Sequence, residues 1–142
     1  MSRGLQSPPV LVRLLLVRVS KSGGKRVLVV EDNLSMLRTL ATFLERAGFD
    51  VVAVAEFQRA LELIEDELFD TLVTDLDLPG GTGLDLVLTA NTLRPQMRSV
   101  LMTGYGCSAI RKRAGELSLL GFLEKPFDLD ELVAALLDDS SN

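Results

Sequence analysis

Five short apolar runs, each followed by a segment of helical periodicity, constrain this chain more than any other feature. The runs lie at 27–30, 50–54, 70–74, 100–102 and 122–123. The first, Val27-Leu28-Val29-Val30, is β-branched and lacks polar alternation, as a strand covered on both faces does. After it, Leu34, Leu37, Leu40, Ala41 and Leu44 recur at helical spacing, and Gly48 stops that helix. Phe57, Ala60, Leu61 and Ile64 mark a second helix; Leu84, Val87 and Leu88 a third, ending before Arg94-Pro95. A polar segment at 108–119, with Gly115 inside it, reads as a fourth. Asp128 is placed to cap a fifth, whose apolar face is Leu129, Leu132, Val133 and Leu136. Strand–helix alternation of this kind predicts an α/β fold, a parallel sheet with right-handed crossovers and helices on both faces.

The charge divides the chain. Residues 1–26 carry six basic residues and no acid, which leaves nine basic against twenty acidic residues beyond them. Residues 1–24 read as a basic, apolar extension and a Ser-Gly-Gly linker, 25–139 as one domain, and 140–142 as a tail. The apolar stretch 10–19 is interrupted by Arg13 and Arg18 and is too short to span a bilayer. It reads as an added strand, helix or loose extension, with membrane or partner docking as the alternative. The acidic body argues against direct nucleic-acid binding.

The chain has no histidine and one cysteine, Cys107. Histidine bases, histidine metal ligands and a phosphohistidine of its own are therefore excluded. The single cysteine forms no internal disulfide and suits a reducing cytoplasm. Chemistry must run on carboxylates, hydroxyls, lysine and a metal.

Such groups stand at the ends of four of the five strands: Glu31 and Asp32 after the first, Asp75 after the third, Thr103 after the fourth, Lys125 after the fifth. In a parallel sheet these ends share one edge, where α/β folds bind ligands. Three gathered carboxylates repel one another unless a cation joins them, and oxygen-only ligands favour Mg²⁺. Lys125 and Thr103 suit the oxygens of a phosphoryl group. Asp75 would then be the nucleophile. Singly, each acid also reads as a helix cap: Glu31 and Asp32 for the first helix, Asp75 for the helix after its loop.

Four pieces, Val27-Leu28-Val29-Val30-Glu31-Asp32-Asn33, Leu72-Val73-Thr74-Asp75-Leu76-Asp77-Leu78-Pro79-Gly80-Gly81-Thr82-Gly83, Leu101-Met102-Thr103-Gly104-Tyr105 and Phe122-Leu123-Glu124-Lys125-Pro126-Phe127, together resemble the receiver domain of bacterial response regulators. The resemblance implies a doubly wound, five-stranded parallel sheet in the flavodoxin-like order 2-1-3-4-5. It implies that Asp75 is the phosphoacceptor and that Mg²⁺ is held by Asp32, Glu31, Asp75 and the backbone carbonyl of Asp77. It makes Thr103 the switching hydroxyl, Lys125 the lysine that pairs with acids when empty and with phosphate when loaded, and Phe122 the aromatic that follows Thr103. It implies a Lys125-Pro126 peptide that is cis. The partners it implies are a sensor histidine kinase or histidine phosphotransfer protein, and a downstream protein on the face of the fourth helix, fifth strand and fifth helix; dimerisation is left open. With no output domain after the last helix, output is expected through protein contact, unless the chain is a piece of a longer regulator. The chain would be a switch rather than an enzyme, catalysing only its own phosphorylation and dephosphorylation.

Two features depart from the pattern. Asp77 adds a carboxylate two residues past the acceptor, which bears on the lifetime of the phosphorylated state. Arg111-Lys112-Arg113 make the fourth helix basic. Two other functions stay open: a receiver-like docking module that never takes phosphate, and a phosphatase of the haloacid-dehalogenase type, whose Asp-x-Asp motif Asp75-Leu76-Asp77 resembles. Phe122 also reads as a core aromatic, Tyr105 as a rim residue.

Overall fold

A computed structural model describes residues 25–104, 108–117 and 119–138. Its elements in order are β1 (Arg26–Val30), α1 (Leu34–Arg46), β2 (Asp50–Val54), α2 (Phe57–Asp66), β3 (Thr71–Asp75), the two-residue strands β4 (Asp77–Leu78) and β5 (Gly81–Thr82), α3 (Gly83–Leu93), β6 (Arg98–Thr103), α4 (Ser108–Gly115), β7 (Gly121–Glu124) and α5 (Leu129–Leu136). The expectations for residues 1–24, Tyr105, Cys107 and 140–142 fall outside the described residues. Among the described residues no helix is long and apolar enough to cross a membrane.

The main sheet has the order β2-β1-β3-β6-β7, all pairs parallel. Numbered among themselves, its five strands run 2-1-3-4-5, as expected. Strand side chains alternate between the faces, and the sheet therefore carries two apolar layers. Leu28, Val30, Leu72 and Leu101 pack with Ala60 and Ile64 of α2 and Leu86, Val87 and Ala90 of α3. Val27, Val29, Val73, Val100 and Met102 pack with Leu40 and Leu44 of α1 and Leu132 and Leu136 of α5. The near-continuous apolar runs of β1 and β3 thus reflect burial on both sides.

Gly48 ends α1 in the way its position suggests. It takes φ +102°; its N–H bonds the Glu45 carbonyl and the Phe49 N–H the Leu44 carbonyl, both at 3.0 Å. That pairing needs a left-handed residue, which glycine adopts at little steric cost.

Four local expectations need correction. The fourth and fifth sheet strands extend beyond their apolar centres, to Arg98–Thr103 and Gly121–Glu124, because ladder pairing continues where the side chains turn polar. The fourth helix ends at Gly115 rather than 119; an interior glycine is costly in a helix with a thin apolar stripe. The loop after Asp75 contains a small antiparallel hairpin, Asp77 opposite Thr82 and Leu78 opposite Gly81, turning at Gly80 with φ +90°. Asp128 occupies the N-cap position of α5, but its side chain makes no capping hydrogen bond.

Candidate functional site

The acids at the strand ends are not helix caps. Asn33 caps α1, its side chain accepting from the Met36 N–H at 2.9 Å. Thr82 caps α3, its hydroxyl oxygen accepting from the Asp85 N–H at 3.1 Å. With the orphan amides served by other residues, Glu31, Asp32 and Asp75 are left to each other. Each brings a carboxylate oxygen within 4.8 Å of the other two. Asp32 is exposed, while Glu31 and Asp75 are buried, at 1% and 6% exposure.

Lys125 joins the two buried acids. Its ammonium donates to Glu31 Oε1 at 2.7 Å and to Asp75 Oδ2 at 3.3 Å. Glu31 accepts a second bond at Oε2 from the Asn33 N–H, 3.1 Å away. The Lys125 N–H donates to the Thr103 carbonyl at 2.7 Å, so the ammonium and Thr103 are tied through one peptide. The Lys125-Pro126 peptide is cis.

Burial chiefly, and then the charge of Glu31, push the Asp75 carboxyl above its ordinary value; the charge and hydrogen bond of Lys125 and a bond from the Asp77 N–H pull the other way without cancelling them. Burial alone would lower Lys125, but its hydrogen bond to Glu31 and the charges of Asp75 and Glu31 outweigh burial and raise it. The ammonium is thus firmly held, while burial, helped by the charge of Glu31, leaves the Asp75 carboxyl above its ordinary value despite the lysine beside it.

Backbone contacts fix Asp75 in place. The Leu76 N–H bonds the Met102 carbonyl at 2.7 Å and the Gly83 N–H bonds the Leu76 carbonyl at 2.8 Å. The first turn of α3 therefore lies against the strand end, and a Cβ on Gly83 would collide with the Asp75 carbonyl oxygen. Gly83 stood in the sequence as part of the loop; its closeness to Asp75 depends on the angle at which α3 returns, which local pattern does not encode. Asn33 and Thr82 were legible as capping residue types, but the acids beside them offered an equally good cap.

The predicted residues divide into two groups. Glu31, Asp32, Asp75 and Lys125 form one cluster. Thr103, fully buried, ends β6 beside them. Asp77 sits on the hairpin with its side chain exposed, outside the carboxylate cluster; its backbone N–H reaches Asp75. Phe122 is half-buried in β7 and packs against the α2–α3 layer. An arginine not singled out alone in the sequence, Arg111, lies over it. The donor set fits a hard divalent cation: three carboxylates, no nitrogen or sulfur ligand, one of them exposed to solvent.

Comparison with known proteins gives one answer. The family model of the response regulator receiver domain matches residues 27–137. The acid tolerance regulatory protein ActR of Rhizobium meliloti is 34% identical over 113 residues, 80% of this chain and 58% of that protein. The response regulator receiver protein CpdR of Brucella abortus is 32% identical over 109 residues, 77% of this chain and 91% of that protein. A response regulator of Burkholderia pseudomallei, solved with a phosphorylated aspartic acid, calcium ion and citrate, superposes with TM-score 0.74 at 33% identity, covering 82% of this chain and 69% of that one. A CheY-like receiver domain of Methanospirillum hungatei gives TM-score 0.76 at 28% identity, covering 80% and 91%. The chain spans about three fifths of the length of several curated relatives, ActR among them.

Proposed function

This chain belongs to the response regulator receiver domain family, and from that premise we propose that it is a switch set by phosphorylation of Asp75. The observation that carries the reading is the meeting of Glu31, Asp32 and Asp75 with a single ammonium, Lys125. None of those carboxylates is engaged as a helix cap.

In this reading an Asp75 carboxylate oxygen attacks the donor phosphorus. The new bond is an acyl phosphate; the bond broken is the one from phosphorus to the donor's leaving group, which departs with the electron pair. The donor is a phosphohistidine on a partner sensor kinase or phosphotransfer protein, since the chain contains no histidine. Glu31, Asp32, Asp75 and the Asp77 carbonyl would hold Mg²⁺, which when bound neutralises the gathered carboxylates and phosphoryl oxygens. Lys125 moves its hydrogen bond from Asp75 to a phosphoryl oxygen and keeps Glu31. The Thr103 hydroxyl bonds another phosphoryl oxygen, and Phe122 follows it. The altered α4-β7-α5 face is read by a downstream protein. The acidic body does not bind nucleic acid directly, and the domain, residues 25–139, works in the cytoplasm. Its catalysis is confined to its own phosphorylation and dephosphorylation. The Asp77 carboxylate acts on the second of these, by repelling the phosphoryl group or orienting water.

The test is incubation with a small acyl-phosphate donor and Mg²⁺, followed by intact mass. A phosphate adduct should form, vanish in Asp75→Asn, and require the metal. No adduct under conditions that label another receiver would leave a docking module as the better description. In the same assay Asp77→Asn should change the half-life of the adduct about threefold, and an unchanged half-life removes that carboxylate from the account.

A further inference from the structure

One side chain of α4 grips the strand that carries the lysine. Arg111 Nη2 lies 2.8 Å from Glu124 Oε2, and its guanidinium carbon is 4.8 Å from the centre of the Phe122 ring. Phe122 and Glu124 are alternate residues of β7 and so share a face. Their register partners on β6 are Leu101 and Thr103. The residue after Glu124 is Lys125, whose N–H is on the Thr103 carbonyl and whose ammonium is on Glu31 and Asp75. Arg111 thus engages both polarisable groups of β7 within three residues of the ammonium, while making no contact with the carboxylate cluster.

This grip exists in the arrangement where Lys125 holds Asp75 directly. A contact belonging to one of two arrangements shifts the population toward it by as much as the contact is worth there. On the basis of the receiver chemistry above, we propose that Arg111 is a positioning residue. Through Glu124 and Phe122 it holds β7 in the unloaded arrangement and so weakens the hold of the Asp75 site on a phosphoryl group. Neither contact alone is strong. Arg111 and Glu124 are about half exposed, at 53% and 47%, where ion pairs and cation–π contacts are weak. Together they correspond to about a threefold change in affinity.

Beryllofluoride, a tetrahedral phosphoryl mimic, tests this with the full chain in excess Mg²⁺. Its half-saturating concentration is read from the rise in Tm. Arg111→Gln should lower that concentration about threefold. Arg111→Lys, which keeps the charge against Glu124 but loses the planar stack on Phe122, should fall between. Lys112→Gln removes the same charge from the same helix and should match the wild type. An unchanged or raised half-saturation in Arg111→Gln overturns the proposal, even where the ligand-free Tm falls, because that result describes a merely structural tie. An equal effect in Lys112→Gln also overturns it, in favour of general helix charge. If the wild-type chain takes neither beryllofluoride nor a phosphate label, the receiver chemistry has failed and the role of Arg111 falls with it.

Discussion

At the amino edge of the sheet Arg26 is enclosed by acids; at the carboxyl edge three acids gather and one lysine bonds two of them. Arg26 donates through Nη2 to Glu67 Oε1 at 2.8 Å and through Nη1 to the Leu68 carbonyl at 3.0 Å. Its Nε is 3.8 Å from Asp50 Oδ2, its backbone N–H is 2.7 Å from Asp70 Oδ2, and its guanidinium stacks 4.6 Å from the centre of the Phe69 ring. Each guanidinium nitrogen faces an acceptor or an acid, and the acids around Arg26 come from β2, the end of α2 and the turn into β3. Such a cluster fastens elements together and has little left to offer a ligand. Lys125 faces two buried carboxylates with Asp32 beside them, and Asp75 is left above its ordinary value by burial and by Glu31. Uncompensated charge in a low-dielectric pocket is a standing demand for a cation or an exchange of partners. Both edges set an arginine over a phenylalanine, yet the Arg26 pair is largely buried and the Arg111 pair half exposed. The first suits a fixed joint and the second one that opens.

This contrast predicts that the edges respond differently to damage. The largest loss of stability belongs to the amino edge. Arg26→Met removes at once the bonds to Glu67 and the Leu68 carbonyl, the nearby charge at Asp50 and the stack on Phe69, and should cost about 3 kcal/mol in all, a fall in Tm of about 12 °C for a domain of this size. Labelling of Asp75 at low temperature should persist. Loss of labelling in a protein that is still folded would show that the edges are not independent.

Next comes Gly83→Ala, which drives a methyl group against the Asp75 carbonyl. Overpacking of this kind costs about 2 kcal/mol. Here the labelling rate should fall with stability, by tenfold or so, since a misplaced nucleophile loses the benefit of orientation. A stable variant with an unchanged rate would show that α3 does not position the acceptor.

The smallest effect has the opposite sign. The Asp75 carboxyl lies above its ordinary value of 3.8 in the folded chain. The folded state therefore binds the proton more readily than the unfolded state, and wild-type stability falls as pH rises through the window above 3.8. In chelator, Asp75→Asn should be the more stable protein at neutral pH, by about 4 °C per kcal/mol of relieved burial cost and repulsion. The gain should disappear as both proteins are acidified. A variant less stable than wild type at neutral pH would mean that the Lys125 contact outweighs burial and Glu31.

Much of this was open to reading along the chain. Apolar runs and helical spacing specify which segments become strands and helices, because burial on both faces of a sheet leaves no polar alternation. The succession of β-α units places Glu31, Asp32, Asp75, Thr103 and Lys125 at one edge before any coordinate is known, since parallel strands bring their carboxyl ends together. The sequence could not say which acids would cap helices. Asn33 and Thr82 occupy the N-cap positions and take the amides, and that leaves the carboxylates free to cluster. Nor could it assign Arg111, which in sequence belongs to a basic run of three. Only the tertiary placement of α4 sets one of those three, still half exposed, against Glu124 and Phe122. The chemistry proposed for Asp75 follows from residue type and strand order, which are local and topological. The strength of that chemistry rests on distances of a few ångströms between residues as far as 94 positions apart, such as Lys125 and Glu31, and tertiary packing alone fixes those.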